Sequence, residues 1–129
     1  MEQLSIKTGP GTNFVNITDQ VHNAVKQFDV EEGVCCIYVP HTTAAVTINE
    51  NTDPAVRRDM CMELDKLVPP EGGYAHIEGN SAAHIKSTIV GASISIPVLG
   101  GELQLGTWQD IFFCEFDGPR QRKAYVTAG

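Results

Sequence analysis

At 129 residues, with nine lysines and arginines against sixteen aspartates and glutamates, the chain carries a net charge of −7 and is sized for one domain, with no room for two. So few cations in an acidic background leave no phosphate-tracking face large enough for a nucleic-acid partner. The apolar residues never run to about eighteen in succession, which predicts no membrane partner, and the start lacks the cationic and apolar regions of a secretory signal.

The four cysteines, Cys35, Cys36, Cys61 and Cys114, form no C-x-x-C pair. Most sit in apolar or helical stretches and are expected as small buried hydrophobes in a reducing cytoplasm. In chain order, Leu4 and Ile6 alternate with polar neighbours as a short strand over residues 4–7, Gly9-Pro10-Gly11 breaks it, and residues 14–17 resume an extended pattern. Thr18 is placed to cap a helix whose buried stripe is Val21, Ala24, Val25 and Phe28, ending before Glu31. Residues 34–39 are continuously apolar and predict a central strand covered on both faces. Residues 45–49 alternate again. Asp53 then caps a helix with Pro54 at its first position and Val56, Met60, Leu64 and Leu67 on one face, up to Pro69. Residues 69–79 hold two prolines and three glycines and predict a loop; Asn80 or Ser81 caps a short helix ending at Gly91. The remainder reads as strands at 92–98, 102–105, 108–116 and near 124–127, with Gly100-Gly101 as a hairpin turn. The class is α+β: a sandwich of largely antiparallel sheet with two longer helices and one short helix, the whole of residues 1–129 forming one domain.

Polar residues gather at four places. His41-Thr42-Thr43 follows the end of a strand, where an imidazole can bind a metal, move a proton or simply hydrogen-bond a carbonyl. In the run from Asn49 to Asp53, capping uses Asp53 alone, so Asn49 and Glu50 are oxygen donors for Mg²⁺ or a substrate hydroxyl, or members of an ordinary polar turn. His76 and His84 share a site only if the loop between them folds back onto the helix start. There the first-turn N–H groups and Lys86 suit an anion such as a phosphate, unless Lys86 is merely solvated. The last place is Gly106-Thr107-Trp108-Gln109. Farther along the same strand, alternation puts Glu115 on a face with Ile111 and Phe113. That apolar setting raises its pKa toward general acid or base duty unless a cation pairs with it. Arg120, Arg122 and Lys123 form a basic run that fits a phosphate, a protected sheet edge or a subunit contact.

The stretch from His41 to Met60, then His84-Ile85-Lys86-Ser87, Ile96-Pro97-Val98 and Gly106-Thr107-Trp108-Gln109, in that order, resembles the YjbQ family over nearly the whole chain. The family's members are described as secondary thiamine-phosphate synthases. The resemblance implies an α+β sandwich assembled as a homotrimer, with a polar site near a subunit boundary. By position it carries over His41, Asn49, Glu50 and Asp53, then His76 and His84, then Trp108, Gln109 and Glu115. Departures fall at Asp110, where the family pattern commonly has glycine, and at Phe116 and Asp117, where it commonly has histidine and arginine.

The leading expectation is a small transferase that joins a pyrophosphorylated aminopyrimidine to a thiazole phosphate with release of pyrophosphate. His41, His84 and Glu115 are its candidate catalytic residues. Asn49, Glu50, Asp53, Lys86, Trp108 and Gln109 are expected to bind the small phosphorylated metabolite, and His41, His76 and His84 to hold a divalent metal, Mg²⁺ or Zn²⁺. Two alternatives are a trimeric metal- or anionic-metabolite-binding protein without turnover and a histidine-metal hydrolase.

Overall fold

The computed structural model describes residues 1–76 and 79–129, among which eight strands and three α-helices form two sheets and a helical layer. The chain runs β1 (Glu2–Lys7), β2 (Gly11–Asn16), α1 (Thr18–Val25), a single 3₁₀ turn (Lys26–Phe28), β3 (Glu32–Tyr38) and β4 (Ala44–Glu50). It continues through α2 (Pro54–Leu67), α3 (Ser81–Val90), β5 (Ser93–Leu99), β6 (Glu102–Leu103), β7 (Gln109–Gly118) and β8 (Gln121–Ala128). The larger sheet has the order β1-β8-β3-β5-β6 and the smaller β2-β7-β4. Every pairing is antiparallel. The α+β sandwich read from the sequence is the observed architecture.

Two hydrophobic layers hold it together. Between the sheets, Cys35, Ile37, Ile96, Val98 and Val126 meet Val46, Ile111 and Phe113, and α1 closes one end with Val21 and Val25. Behind the smaller sheet, Phe14, Ala45, Phe112, Cys114 and Phe116 pack against Ala83 of α3 and half-buried Met60, Cys61 and Leu64 of α2. Each fully buried aliphatic or aromatic side chain contributes roughly 1.5–3 kcal/mol relative to exposure.

The strand covered on both faces is therefore β7, where residues 111–116 are all buried, and not β3. In β3 only alternate residues are buried, and Val34 and Tyr38 are each 49% exposed. α2 and α3 lie on the smaller sheet and α1 closes the end of the core, so among the described residues no helix covers the outer face of the larger sheet. Along the helices, Asp53 caps α2 as read, accepting the Ala55 N–H at 2.9 Å with Pro54 behind it. Thr18 does not cap α1. Its hydroxyl instead accepts the Ile111 N–H at 2.8 Å, and Asn16 Oδ1 takes the Thr18 N–H at 3.0 Å. Leu67, placed on the buried face of α2, is 69% exposed, and at this end of the helix the next residue, Val68, is buried in its place. The loop expected over residues 69–79 includes Ile77 and Glu78, which lie outside the described residues.

Candidate functional site

The sequence Asn80-Ser81-Ala82-Ala83 starts α3 with small residues, so the helix sits directly on β4 and β7. Ser87 Oγ donates to the Ala44 carbonyl at 2.7 Å and fixes its depth. Immediately before that anchor, Lys86 is drawn into the interior and is 2% exposed. Its ammonium donates to Asp65 Oδ1 of α2 and, at 3.3 Å, to Thr12 Oγ1 of β2. Thr12 in turn donates to Asp65 Oδ1 at 2.9 Å. An ammonium has three N–H donors, so one remains for a ligand.

These groups line a cavity of about 240 Å³ at the α3 N-terminus, whose wall also includes Gly11, Asn80, Phe116 and Asp117. Asn80 Nδ2 donates to Asp117 Oδ2 at 3.0 Å. Asn80 Oδ1 is buried without a hydrogen-bond partner among the described residues, although a buried amide oxygen of this kind is normally satisfied. The Asn80 side chain does not cap the helix. The cavity thus offers a buried cation, first-turn backbone N–H groups and an unused acceptor to one ligand.

A second polar cluster abuts it through Asp117. Glu115 is fully buried and is held by Arg122 Nε at 2.8 Å and Nη2 at 2.5 Å, by Thr8 Oγ1 at 2.6 Å and by the N–H groups of Phe116 and Asp117. Arg122 also donates to Thr43 Oγ1 at 2.7 Å. Burial by itself pushes the Glu115 carboxyl up. The Arg122, Thr8 and Asp117 hydrogen bonds and the Arg122 charge outweigh it, and the pKa falls below the ordinary 4.5. The cation whose absence would have made Glu115 a base is present, so the residue is a saturated carboxylate that braces β7 against β8. Asp117 is lowered too: burial pushes it up, and the Asn80 and Arg120 hydrogen bonds more than offset that.

The remaining sequence candidates divide among three places. The loop does fold back, setting the His76 and His84 rings edge to face at 5.5 Å. They line a hollow with Tyr74, Ser81 and Ile85, separate from the Lys86 cavity, because residues two apart on a helix point to nearly opposite sides. His41 stands at the end of β3, where its Nε2 accepts the Lys123 N–H at 3.1 Å. Burial and the Arg122 charge depress its pKa, which keeps the imidazole neutral. Among the described residues no group of three or more histidines, cysteines or carboxylates is placed to hold a metal. Within one chain, then, His41, His76 and His84 do not converge on an ion. Asn49 and Glu50 lie opposite Asp110 and Gln109 in the β4–β7 register. The Gln109 side-chain oxygen accepts the Gly106 N–H at 2.7 Å and closes its own turn, while Trp108 is 62% exposed in that turn. Asp53 is occupied by its cap.

Nothing in the local sequence pattern marks Thr12 or Asp65, while Asn80 stands out only as an expected helix cap and Asp117 only as a departure from the family pattern. Asp65 does fall one helical turn after Cys61, on the α2 face turned toward β2, but only the β2–α2–α3 packing joins it to Lys86.

Residues 2–129 match the family model described as "UPF0047 protein YjbQ-like". The chain belongs to the YjbQ/UPF0047 family. A UPF0047 protein of Methanocaldococcus jannaschii is 50% identical over 124 residues, covering 96% of this chain and 90% of that one. YugU of Bacillus subtilis is 47% identical over 127 residues, covering 98% and 96%. Among solved structures, a YjbQ/UPF0047 family protein of Clostridium acetobutylicum superposes with a TM-score of 0.98 at 48% identity, each chain covered in full. A hypothetical protein of Aeropyrum pernix gives 0.94 at 37%, with 99% of this chain and 96% of that one covered. None of these names assigns a reaction. No helix of the described residues is long and apolar enough to cross a membrane.

Each residue noted as a departure from the YjbQ pattern has a structural task here. Asp110 Oδ2 accepts from Asn16 Nδ2 and Asn51 Nδ2, each at 3.1 Å, and ties β2 and the α2 approach to β7. Phe116 and Asp117 form part of the cavity wall.

Proposed function

We propose that this YjbQ/UPF0047 protein is a small cytoplasmic transferase that binds a phosphorylated metabolite in the Lys86 cavity, with thiamine-phosphate formation as the assayable reaction. The observation that carries the reading is a lysine buried at the wall of a cavity opening on a helix N-terminus, beside a buried amide oxygen that lacks a donor among the described residues. Asp65 pairs with Lys86; once that carboxylate is displaced, the ammonium and the helix N-terminus together hold phosphate oxygens.

In the reaction, the thiazole nitrogen attacks the pyrimidine methylene carbon, the N–C bond forms, and the C–O bond breaks with its electron pair leaving on pyrophosphate. Charge develops on the leaving group. Lys86 and the start of α3 line the cavity, so they would stabilise that charge where it develops. Asp65 is 43% exposed and can swing into solvent as the anion takes its place on Lys86. Asn80 Oδ1 would accept a ligand hydroxyl or amine, or with Asp117 and Asp65 supply oxygen ligands to a Mg²⁺ that travels with the substrate. His84 and His41 act outside this cavity in one chain, and a catalytic role for either needs a subunit boundary. The assembly we propose is a homotrimer built through the uncovered outer face of the larger sheet, where Val34, Tyr38 and Leu99 are exposed.

Lys86→Met decides between readings. A transferase loses turnover with the precursor pair by about a hundredfold or more. A binding protein shows ligand-dependent thermal stabilisation in the wild type, lost in the variant, with no product over hours. Wild-type stabilisation by pyrophosphate that persists in Lys86→Met removes the cavity from the mechanism.

A further inference from the structure

A second hollow lies along α2, lined by Thr12, Asn13, Phe14, Arg57, Arg58 and Cys61 together with Pro54. Its charge is unusual for a protein of net charge −7. Two arginines border it, and none of its lining residues is acidic. The Lys86 cavity, by contrast, is walled by Asp65 and Asp117. Among the described residues neither Arg57 nor Arg58 pairs with a carboxylate, whereas Lys66, Lys86, Arg120 and Arg122 all do.

Arg57 is fixed in place. Its guanidinium donates to the Phe14 carbonyl at 3.2 Å and to Asn51 Oδ1 at 2.8 Å, and lies 5.4 Å from the centre of the Phe112 ring. A guanidinium has five N–H donors, and these two bonds leave the others unspent. Arg58, next to it, is exposed at the lip of the hollow. A planar donor fork held in place beside an exposed one is suited to a tetrahedral oxyanion. The two hollows also share a wall, because Thr12 lines both.

We infer that the Arg57–Arg58 hollow is a second anion site, which takes the phosphate monoester of a co-substrate while the Lys86 cavity takes the other phosphorylated group. Anion binding in the hollow stands on its own geometry. Its assignment to a co-substrate rests on the transferase reading of the Lys86 cavity. A protein joining two phosphorylated molecules needs two adjacent anion sites, whereas a binder of one metabolite needs one.

Isothermal titration with inorganic phosphate tests this on the intact wild type, Arg58→Gln and Lys86→Met, with circular dichroism confirming that each variant is folded. Two phosphates bind per wild-type chain, and each variant loses one of them, its affinity at the altered site falling by about tenfold or more. Because Arg58 is exposed, its replacement leaves the core intact, and Arg58→Lys restores part of the affinity by returning charge without the fork. Wild-type stoichiometry and affinity in Arg58→Gln overturn the second site. Loss of both phosphates in Lys86→Met also overturns it, since the hollow would then have no independent binding. Retention of both in Lys86→Met leaves the Arg57–Arg58 site standing and removes the cavity reading instead.

Discussion

Glu115 shows how far a single residue's chemistry depends on what faces it. Alternation along β7 places it on the apolar side, where an unpaired carboxyl holds its proton; Arg122 reverses that. Breaking such a pair leaves a buried charge uncompensated. Glu115→Gln is therefore expected to lower the free energy of unfolding by about 3–5 kcal/mol, read from the urea midpoint. The pH dependence has a definite sign. Folded Glu115 binds its proton less tightly than the unfolded chain, whose ordinary value is 4.5. Its contribution is thus complete above that value and is lost as pH falls through the lower folded pKa. Asp117 shifts in the same direction and adds to the acid loss. Urea titrations at a series of acidic pH values should show a shallower decline for Glu115→Gln than for the wild type. His41 acts from the other side of the scale: its folded pKa lies below 6.5, so its share is full above 6.5 and diminishes as pH drops beneath it.

At the scale of elements, α2 and α3 differ in how they are anchored. The start of α2 was legible from Asp53-Pro54 because capping is local chemistry, and the Asp53–Ala55 bond confirms it. Asp53→Ala should reduce stability by about 1 kcal/mol while leaving phosphate affinity unchanged; a loss of affinity in a folded variant would return Asp53 to the binding site. The end of α3 is set by Gly91, at φ 104° and ψ 155°, a conformation that a side chain rarely adopts. Gly91→Ala is expected to cost about 1–3 kcal/mol, measured by thermal or urea unfolding. The helix α1 begins at Thr18 as read, but without the cap that its side chain predicts. Thr18 has a capping side chain, but the Ile111 N–H across the sheet competes for its hydroxyl, and nothing near Thr18 in sequence reveals that competitor.

For the whole molecule, the decisive feature is that α2 and α3 both pack on the smaller sheet, while α1 closes the end of the core between the sheets. The outer face of the larger sheet is left with Val34, Tyr38 and Leu99 exposed, and it is the face through which we propose the subunit contact. Tyr38→Asp places a charge on this face and should convert the proposed trimer to monomers in sedimentation equilibrium, with the fold retained by circular dichroism. An unchanged mass would move the subunit contact elsewhere.

By itself the sequence determined the α+β class, the antiparallel hairpins and the α2 cap. All of these rest on periodicity, turn residues and capping, which act over a few neighbouring positions. Only the tertiary structure decided which strand is covered twice, that Glu115 is paired with Arg122, and that Lys86 meets Thr12 and Asp65, 74 and 21 residues away. Each of those outcomes is a contact between distant segments. Partners of that kind are chosen by how the sheets and helices stack, and no local pattern records the choice.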